Sequence, residues 1–221
     1  MDCSRSSDGR RSCIGAERLI SFRNKLFLVS NEIEIKFRVE NLPALIRRLR
    51  AAGFRVETPR AHEVNALYDL PGQQLRNRKE LLRLRKYGSK WKLTHKAGKK
   101  TGLHSSRAEL ETEVSDGKKM DLILRALGYE PSFRYEKYRA EWTDGKGQVV
   151  LDETPIGNFG EIEGPSRWID TTAKKLGVSK EDYITNNYAG LFSEWKAETK
   201  SQANEMTFEA VKKGNSGRNR N

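Results

Sequence analysis

Cysteine is nearly absent: among 221 residues only Cys3 and Cys13 carry thiols, and both lie near the N-terminus. They cannot staple a core, and no CxxC spacing suggests zinc. So little cysteine suits a reducing compartment, and a cytoplasmic protein is expected. No apolar run approaches the length of a transmembrane helix. The stretch Leu26-Phe27-Leu28-Val29 is too short for the apolar region of a signal peptide, so no membrane is expected as a partner. There is no GxxxxGK[ST], and no GxGxxG after a strand, which excludes the common nucleotide-binding loops. The three histidines, His62, His95 and His104, are scattered. His95 falls on the strand face opposite Lys96, which argues for a packing or solvent role rather than a general base.

What the chain has instead is charge, a net +12. Residues 1–29 hold six Lys/Arg against three Asp/Glu, and residues 197–221 hold five against three, so +7 remains on the middle. A basic surface suits nucleic acid, an anionic membrane or an anionic small molecule. The length fits one well-cored domain. Residues 1–29 read as a disordered basic leader and 197–221 as a disordered polar tail, leaving a domain over 30–196.

The charge is patterned. In a strand over 32–39, Glu32, Glu34, Lys36 and Arg38 share one face, and Ile33, Ile35, Phe37 and Val39 share the other. Later stretches repeat the alternation. Arg83 and Arg85 oppose Leu82 and Leu84, and Lys90, Lys92, Thr94 and Lys96 oppose Trp91 and Leu93. Arg107, Glu109, Glu111 and Glu113 oppose Ala108, Leu110, Thr112 and Val114. Lys137, Arg139 and Glu141 oppose Tyr138, Ala140 and Trp142; Val150 and Asp152 oppose Val149 and Leu151; Glu161-Ile162-Glu163 follows. Two readings stand: charged faces in solvent, or a curled barrel with a charged lumen, since a barrel of about eight strands can hold one small ligand. The charged faces sort into acidic and basic clusters, which favours the lumen. Carboxylates bind hard cations, and Arg and Lys bind phosphate oxygens, so a metal-and-polyphosphate site is the first function to test.

An internal repeat runs at an offset of 75 residues. Val39 to Phe54 aligns with Val114 to Tyr129, pairing Leu49-Arg50-Ala51 with Leu124-Arg125-Ala126 and Gly53 with Gly128. Each segment reads as a helix: Leu42, Leu45, Ile46 and Leu49 make one apolar stripe, and Met120, Ile123, Leu124 and Leu127 the other. Asn41 caps the first, and each glycine ends its helix. Two related strand–helix–strand halves would form one pseudo-symmetric domain; chance similarity of two amphipathic helices is the alternative.

The ordered set Glu32-x-Glu34-x-Lys36, Leu82-Arg83-Leu84-Arg85, a Lys-rich strand ending at Lys96, Lys137-x-Arg139, Asp152 and Glu161-x-Glu163 resembles the CYTH superfamily, the triphosphate tunnel metalloenzymes. The resemblance runs from about residue 31 to about 193. It implies an α+β fold: an eight-stranded antiparallel β-tunnel with a charged lumen, flanked by helices. It implies Mg2+ or Mn2+ held by Glu32, Glu34, Asp152, Glu161 and Glu163. It implies a triphosphate gripped by Lys36, Arg83, Arg85, Lys96 and Arg139, with Glu109 at an acidic lumen position and Lys36 and Arg139 closest to the chemistry. Lys92 and Lys137 join the grip on strand parity and approximate alignment. The expected substrates are small triphosphates: ATP, tripolyphosphate or thiamine triphosphate. The family also implies a homodimer.

The stretch from Leu127 to Arg139, and Asp152 followed by Ile156 to Ile162, is most similar to the class IV adenylate cyclase branch, which turns ATP into cyclic AMP and pyrophosphate. The triphosphatase branch shares the phosphate grip. One departure stands out: where the family often has Ser or Lys before a Tyr-containing helix, this chain has Asn186-Asn187-Tyr188. A passive RNA- or polyphosphate-binding module would need the basic residues but not the carboxylates, which would repel the phosphates. The carboxylates therefore favour a metal enzyme, with no nucleic acid expected as a partner.

Overall fold

The computed structural model describes the backbone of residues 18–22, 25–100 and 105–216, and the side chains of 33–97 and 108–215. Nine strands are described: β1 (Arg18–Phe22), β2 (Lys25–Arg38), β3 (Arg55–Asp69), β4 (Leu81–Tyr87), β5 (Lys90–Lys100), β6 (Ser105–Val114), β7 (Glu130–Thr143), β8 (Gln148–Thr154) and β9 (Gly157–Glu163). The helices are α1 (Leu42–Ala51), α2 (Gln74–Asn77), α3 (Gly117–Ala126), α4 (Ser166–Leu176), α5 (Tyr188–Thr199) and α6 (Phe208–Ser216). All the strand pairings are antiparallel, in the order β2-β6-β5-β4-β3-β7-β8-β9, with β1 beside β2. Because β2 pairs with β6 through Ser30–Glu34 and with β9 through Glu34–Arg38, eight strands close into a ring. The α+β tunnel architecture expected from the sequence is the one observed.

The outer faces are covered by helices. Ile35, Phe37, Trp142, Val149, Leu151 and Ile162 pack against Leu45 and Leu49 of α1 and Ile169, Ala173 and Leu176 of α4. Leu49, Ile162 and Leu176 are fully buried, each contributing about 1.5–3 kcal/mol of apolar burial. Gly160 lets this layer close, because a Cβ there would lie 2.2 Å from the Phe37 ring. On the opposite side α3 lays Leu124 on Tyr68 and Leu84.

The repeat is structural. An offset of 75 takes α1 (42–51) onto α3 (117–126) and the start of β3 (55) onto the start of β7 (130). Asn41 accepts from Ala44 N, and Asp116 accepts from Lys119 N, so both helices begin on the same side-chain cap. Both end alike: Phe54 N donates to Leu49 O and Tyr129 N to Leu124 O, with Gly53 and Gly128 at φ 86° and 87°. The β-bulges obey the offset too, with Glu57 the extra residue in β3 and Ser132 in β7. One bulge is unmatched, between Thr58 and Ala61 around Pro59. Past it the offset falls to 74, so Glu63 corresponds to Lys137 and Asn65 to Arg139.

Two expectations need correction. Residues 18–22 and 25–29, read as leader, form β1 and the start of β2. Residues 197–216, read as tail, complete α5 and build α6. Ala203, Met206 and Val211 are buried against Tyr135, Phe159, Tyr188, Leu191 and Phe192. These apolar residues are too widely spaced to give a periodic signal, but each fills the same end of the barrel.

Candidate active site

The charged strand faces converge on a cavity of about 410 Å3 inside the ring. Seven cationic side chains line it: Lys36 from β2, Arg83 and Arg85 from β4, Lys92 and Lys96 from β5, Lys137 and Arg139 from β7. Six carboxylates share the wall: Glu34, Glu109, Glu111, Glu141, Glu161 and Glu163. Strand alternation places them: Lys36 lies between Ile35 and Phe37 of the outer apolar layer, and Arg83 between Leu82 and Leu84. One end of the lumen is apolar, where Tyr135, Phe159 and partly buried Leu67 pack with α5.

The deepest part is a lattice of buried charge. Asp152 is fully buried. It accepts from Lys137 Nζ at 2.8 Å, from Arg139 Nε and Nη2 at 2.8 and 2.7 Å, and from the Tyr188 hydroxyl at 2.6 Å. Arg139 Nη2 also donates to Glu161 Oε2 at 2.5 Å, and Lys36 Nζ is hydrogen-bonded to Glu161 Oε1. Burial alone would lower the Lys36 pKa, but Glu161 and Glu34 outweigh it and raise it, so the ammonium stays charged. Burial would likewise raise the Glu161 pKa, yet Lys36, Arg139 and Lys137 hold it well below the carboxylate range. Burial and the Asp152 charge push the Tyr188 phenol well above its ordinary value, so it remains a donor. Lys36 and Lys137 each sit 4.7 Å from the Tyr188 ring centre.

Glu63 completes the floor and was invisible as a site residue in the sequence. It is 0% exposed. Lys137 Nζ, Arg85 Nη1 and Arg139 Nε surround it at 3.5, 3.7 and 3.8 Å, and Asn65 Nδ2 donates to it at 2.9 Å. Burial raises its pKa, but Lys137, Arg139 and Arg85 overcome that and bring it to about 2. Glu111 is the second addition. It accepts from Lys92 Nζ at 2.6 Å, Thr94 Oγ1 at 2.8 Å and Arg85 Nη2 at 3.0 Å, and these partners outweigh burial to bring its pKa to about 2.

Of the residues expected from the sequence, Glu34, Lys36, Arg83, Arg85, Lys92, Lys96, Glu109, Lys137, Arg139, Glu161 and Glu163 are brought together on the lumen wall. Lys96 and Glu109 form an ion pair at 2.9 Å. Glu34 and Glu163 are direct cross-strand partners. Glu32 occupies the next inward position along β2, opposite Arg107 of β6, and its side chain lies outside the described residues. Asp152 has the inward parity of β8, but both its oxygens are engaged behind the wall. Among the described residues, no three His, Cys, Asp or Glu side chains are gathered closely enough to hold a metal by themselves.

A closed antiparallel ring with a charged lumen and helices outside defines a tunnel protein. The chain belongs to the CYTH-domain family, whose model matches residues 30–188. It is 25% identical over 171 residues to a candidate adenylate cyclase of Methanocaldococcus jannaschii, spanning 72% of this chain and 97% of that protein. The structure of a candidate adenylate cyclase from Vibrio parahaemolyticus superposes with a TM-score of 0.66 at 21% identity, covering 73% of this chain and 97% of that one. A Hippeastrum protein described as a candidate adenylyl cyclase with dominant triphosphatase activity superposes with a TM-score of 0.56 at 20% identity, covering 74% of this chain and 95% of that one. Among the described residues no helix is long and apolar enough to cross a membrane.

Proposed function

We propose that this protein is a divalent-metal-dependent enzyme that binds a triphosphate in the lumen and converts ATP to cyclic AMP and pyrophosphate. One observation carries the reading: seven cations and six carboxylates line a single cavity of about 410 Å3 inside a closed barrel. A triphosphate carries about four negative charges, and a low-dielectric enclosure strengthens each contact with it. Arg83 and Arg85 present fork-shaped donors from one strand. Their Nε atoms are buried with no acceptor among the described residues, a need that phosphate oxygens would meet.

The carboxylates fit a metal. Glu34 and Glu163 face the lumen as direct cross-strand partners from adjacent strands. Together with Glu32, which the family resemblance assigns to the metal, these carboxylates would offer the oxygen ligands that Mg2+ or Mn2+ prefers. Such an ion, held by these carboxylates, would supply positive charge to offset that of the phosphates. Lys36 and Arg139 both hold Glu161 and both stay protonated, so neither accepts a proton; they supply fixed positive charge beside the reacting phosphate. In cyclisation the ribose 3′-oxygen bonds to the α-phosphorus, the bond from that phosphorus to the bridging oxygen breaks, pyrophosphate leaves, and the hydroxyl proton passes to solvent. The resemblance through Leu127–Arg139 and Ile156–Ile162, and the name of the M. jannaschii relative, support this branch.

Hydrolysis of tripolyphosphate or thiamine triphosphate is the second reading, favoured by a lumen whose cations would grip any triphosphate. The test is to incubate the protein with Mg2+ or Mn2+ and, separately, ATP, tripolyphosphate and thiamine triphosphate, then identify products. Cyclic AMP with pyrophosphate supports the first reading. Orthophosphate without cyclic AMP supports the second. No turnover of any of the three would contradict both.

A further inference from the structure

The internal two-fold also shows what one half lacks. In the first half α4 lies over α1 and β2: Arg48 Nη1 donates to Leu176 O at 2.8 Å, and Ile35 is buried with Ile169, Ala173 and Leu176. α4 follows β9, whose counterpart in the ring is β5. No such helix follows β5: only residues 101–104 separate Lys100 of β5 from Ser105 of β6, against the 11 residues of α4. The place that α4 holds over α1 is therefore uncovered over α3 among the described residues. Leu110, the counterpart of the buried Ile35, is 45% exposed.

An uncovered helix face is expected to be polar, and this one is the reverse. At the offset of 75, Arg47, Arg48 and Ala52 of the covered half give way to Leu122, Ile123 and Leu127. These three are between 51% and 66% exposed. The inner side of α3 is already filled by Leu124, with Met120 packed beside it, so the outer three serve no core of their own.

We propose that this face of α3 docks a second copy of the chain, α3 lying antiparallel on α3. The helix is complementary to itself in that direction. A two-fold axis that sets Leu122 opposite Leu127 of the second copy also sets Ile123 opposite Ala126 and Lys119 opposite Glu130, and the symmetry makes each contact twice. Lys119 and Glu130 are both exposed, and Lys119 reaches Asp116 only at 3.9 Å. The antiparallel order brings the lysines at the start of each helix to the carbonyl end of the other, where the helix dipole favours cations. The second copy thus supplies the apolar cover and both charges at once. This holds whatever the lumen binds.

Sedimentation velocity on the full chain, from about 1 to about 200 µM, spans the range in which so small a contact associates. The expected result is a reversible monomer–dimer equilibrium in wild type and at least tenfold weaker dimerisation in Leu122→Glu. Arg47→Glu, at the matching position of the covered half, should leave the dimer unchanged. Lys119→Glu should weaken it about threefold or more, and adding Glu130→Lys should restore it. That charge exchange keeps the test decisive even if Leu122→Glu fails to fold. A wild type that stays monomeric throughout, a dimer as tight in a folded Leu122→Glu, an equal loss in Arg47→Glu, or a Lys119→Glu loss that Glu130→Lys does not restore would overturn the proposal.

Discussion

The two halves of the barrel share a backbone and differ in charge. The first runs β2-α1-β3-β4-β5 and the second β6-α3-β7-β8-β9, and the ring order is unchanged when they are exchanged. Following the ladders round the ring, Glu34 corresponds to Glu109, Lys36 to Glu111, Asn65 to Arg139 and Arg85 to Asp152; Thr94 corresponds to Glu161 and Lys96 to Glu163. Where a residue meets its own counterpart across the two-fold, the signs are opposite: Glu32 pairs with Arg107 and Glu63 with Lys137. Identical halves would put like charges face to face there, which a sheet does not tolerate well. The divergence turns a symmetric shell into an asymmetric site. The Glu34–Glu163 register pair sets acid opposite acid, while the matching Glu109–Lys96 pair sets acid opposite base.

The sharpest way to break this arrangement is at the contact between the halves. Lys137→Met should destabilise the fold by about 3–5 kcal/mol, because Glu63 and Asp152 both lose a buried partner. Thermal or urea unfolding would show it. A loss under about 1 kcal/mol would mean that the lattice is not structurally coupled.

The acid of the first half sets a pH dependence. The Glu63 pKa is depressed from 4.5 to about 2 on folding, so its contribution is present above 4.5 and is lost as pH falls towards 2. The full contribution is roughly 3 kcal/mol. Glu63→Gln should therefore melt lower than wild type at pH 6, and the gap should narrow at pH 3. A gap that is constant with pH would contradict the assignment.

The phosphate grip tests the functional asymmetry. Arg85→Ala should raise KM for a triphosphate about tenfold to a hundredfold and lower kcat, the loss of one or two charge-assisted hydrogen bonds. Its counterpart Asp152 cannot substitute, being of opposite sign. Unchanged kinetics would remove Arg85 from the site. The smallest effect is expected at the rim, where Lys90 and Glu113 form an exposed pair at 3.3 Å. Lys90→Ala should change stability by less than about 0.5 kcal/mol in a melt at moderate salt, and a larger loss would show that the rim charges act as a network with the lumen.

Much of this was legible in the sequence because lumen residues obey the period of two along most strands. Glu34 and Lys36, Arg83 and Arg85, and Lys137 and Arg139 each announce their face through apolar neighbours one position away. β3 did not. Pro59 and the bulges at Thr58–Ala61 break its alternation, and its outer face carries Val64 and Ala66 in place of a strong apolar stripe. Glu63 and Asn65 were hidden with it. Glu111 had the right parity but looked like one more acid in an acidic strand. Tyr188 could be read only as the start of a helix, since its role depends on α5 folding back over the lumen. Asp152 was read as a metal ligand from resemblance, and its saturation by Lys137, Arg139 and Tyr188 is a tertiary fact that no spacing encodes.

The central claim is that the Glu34–Glu163 pair recruits a metal for triphosphate chemistry. It is tested most directly by titrating Mg2+ against turnover of ATP and of tripolyphosphate, in wild type and in Glu34→Gln. The expected result is no turnover without metal, saturable activation in wild type, and at least a hundredfold loss in a Glu34→Gln protein that melts like wild type. Metal-independent turnover, or full activity in the folded variant, would contradict it.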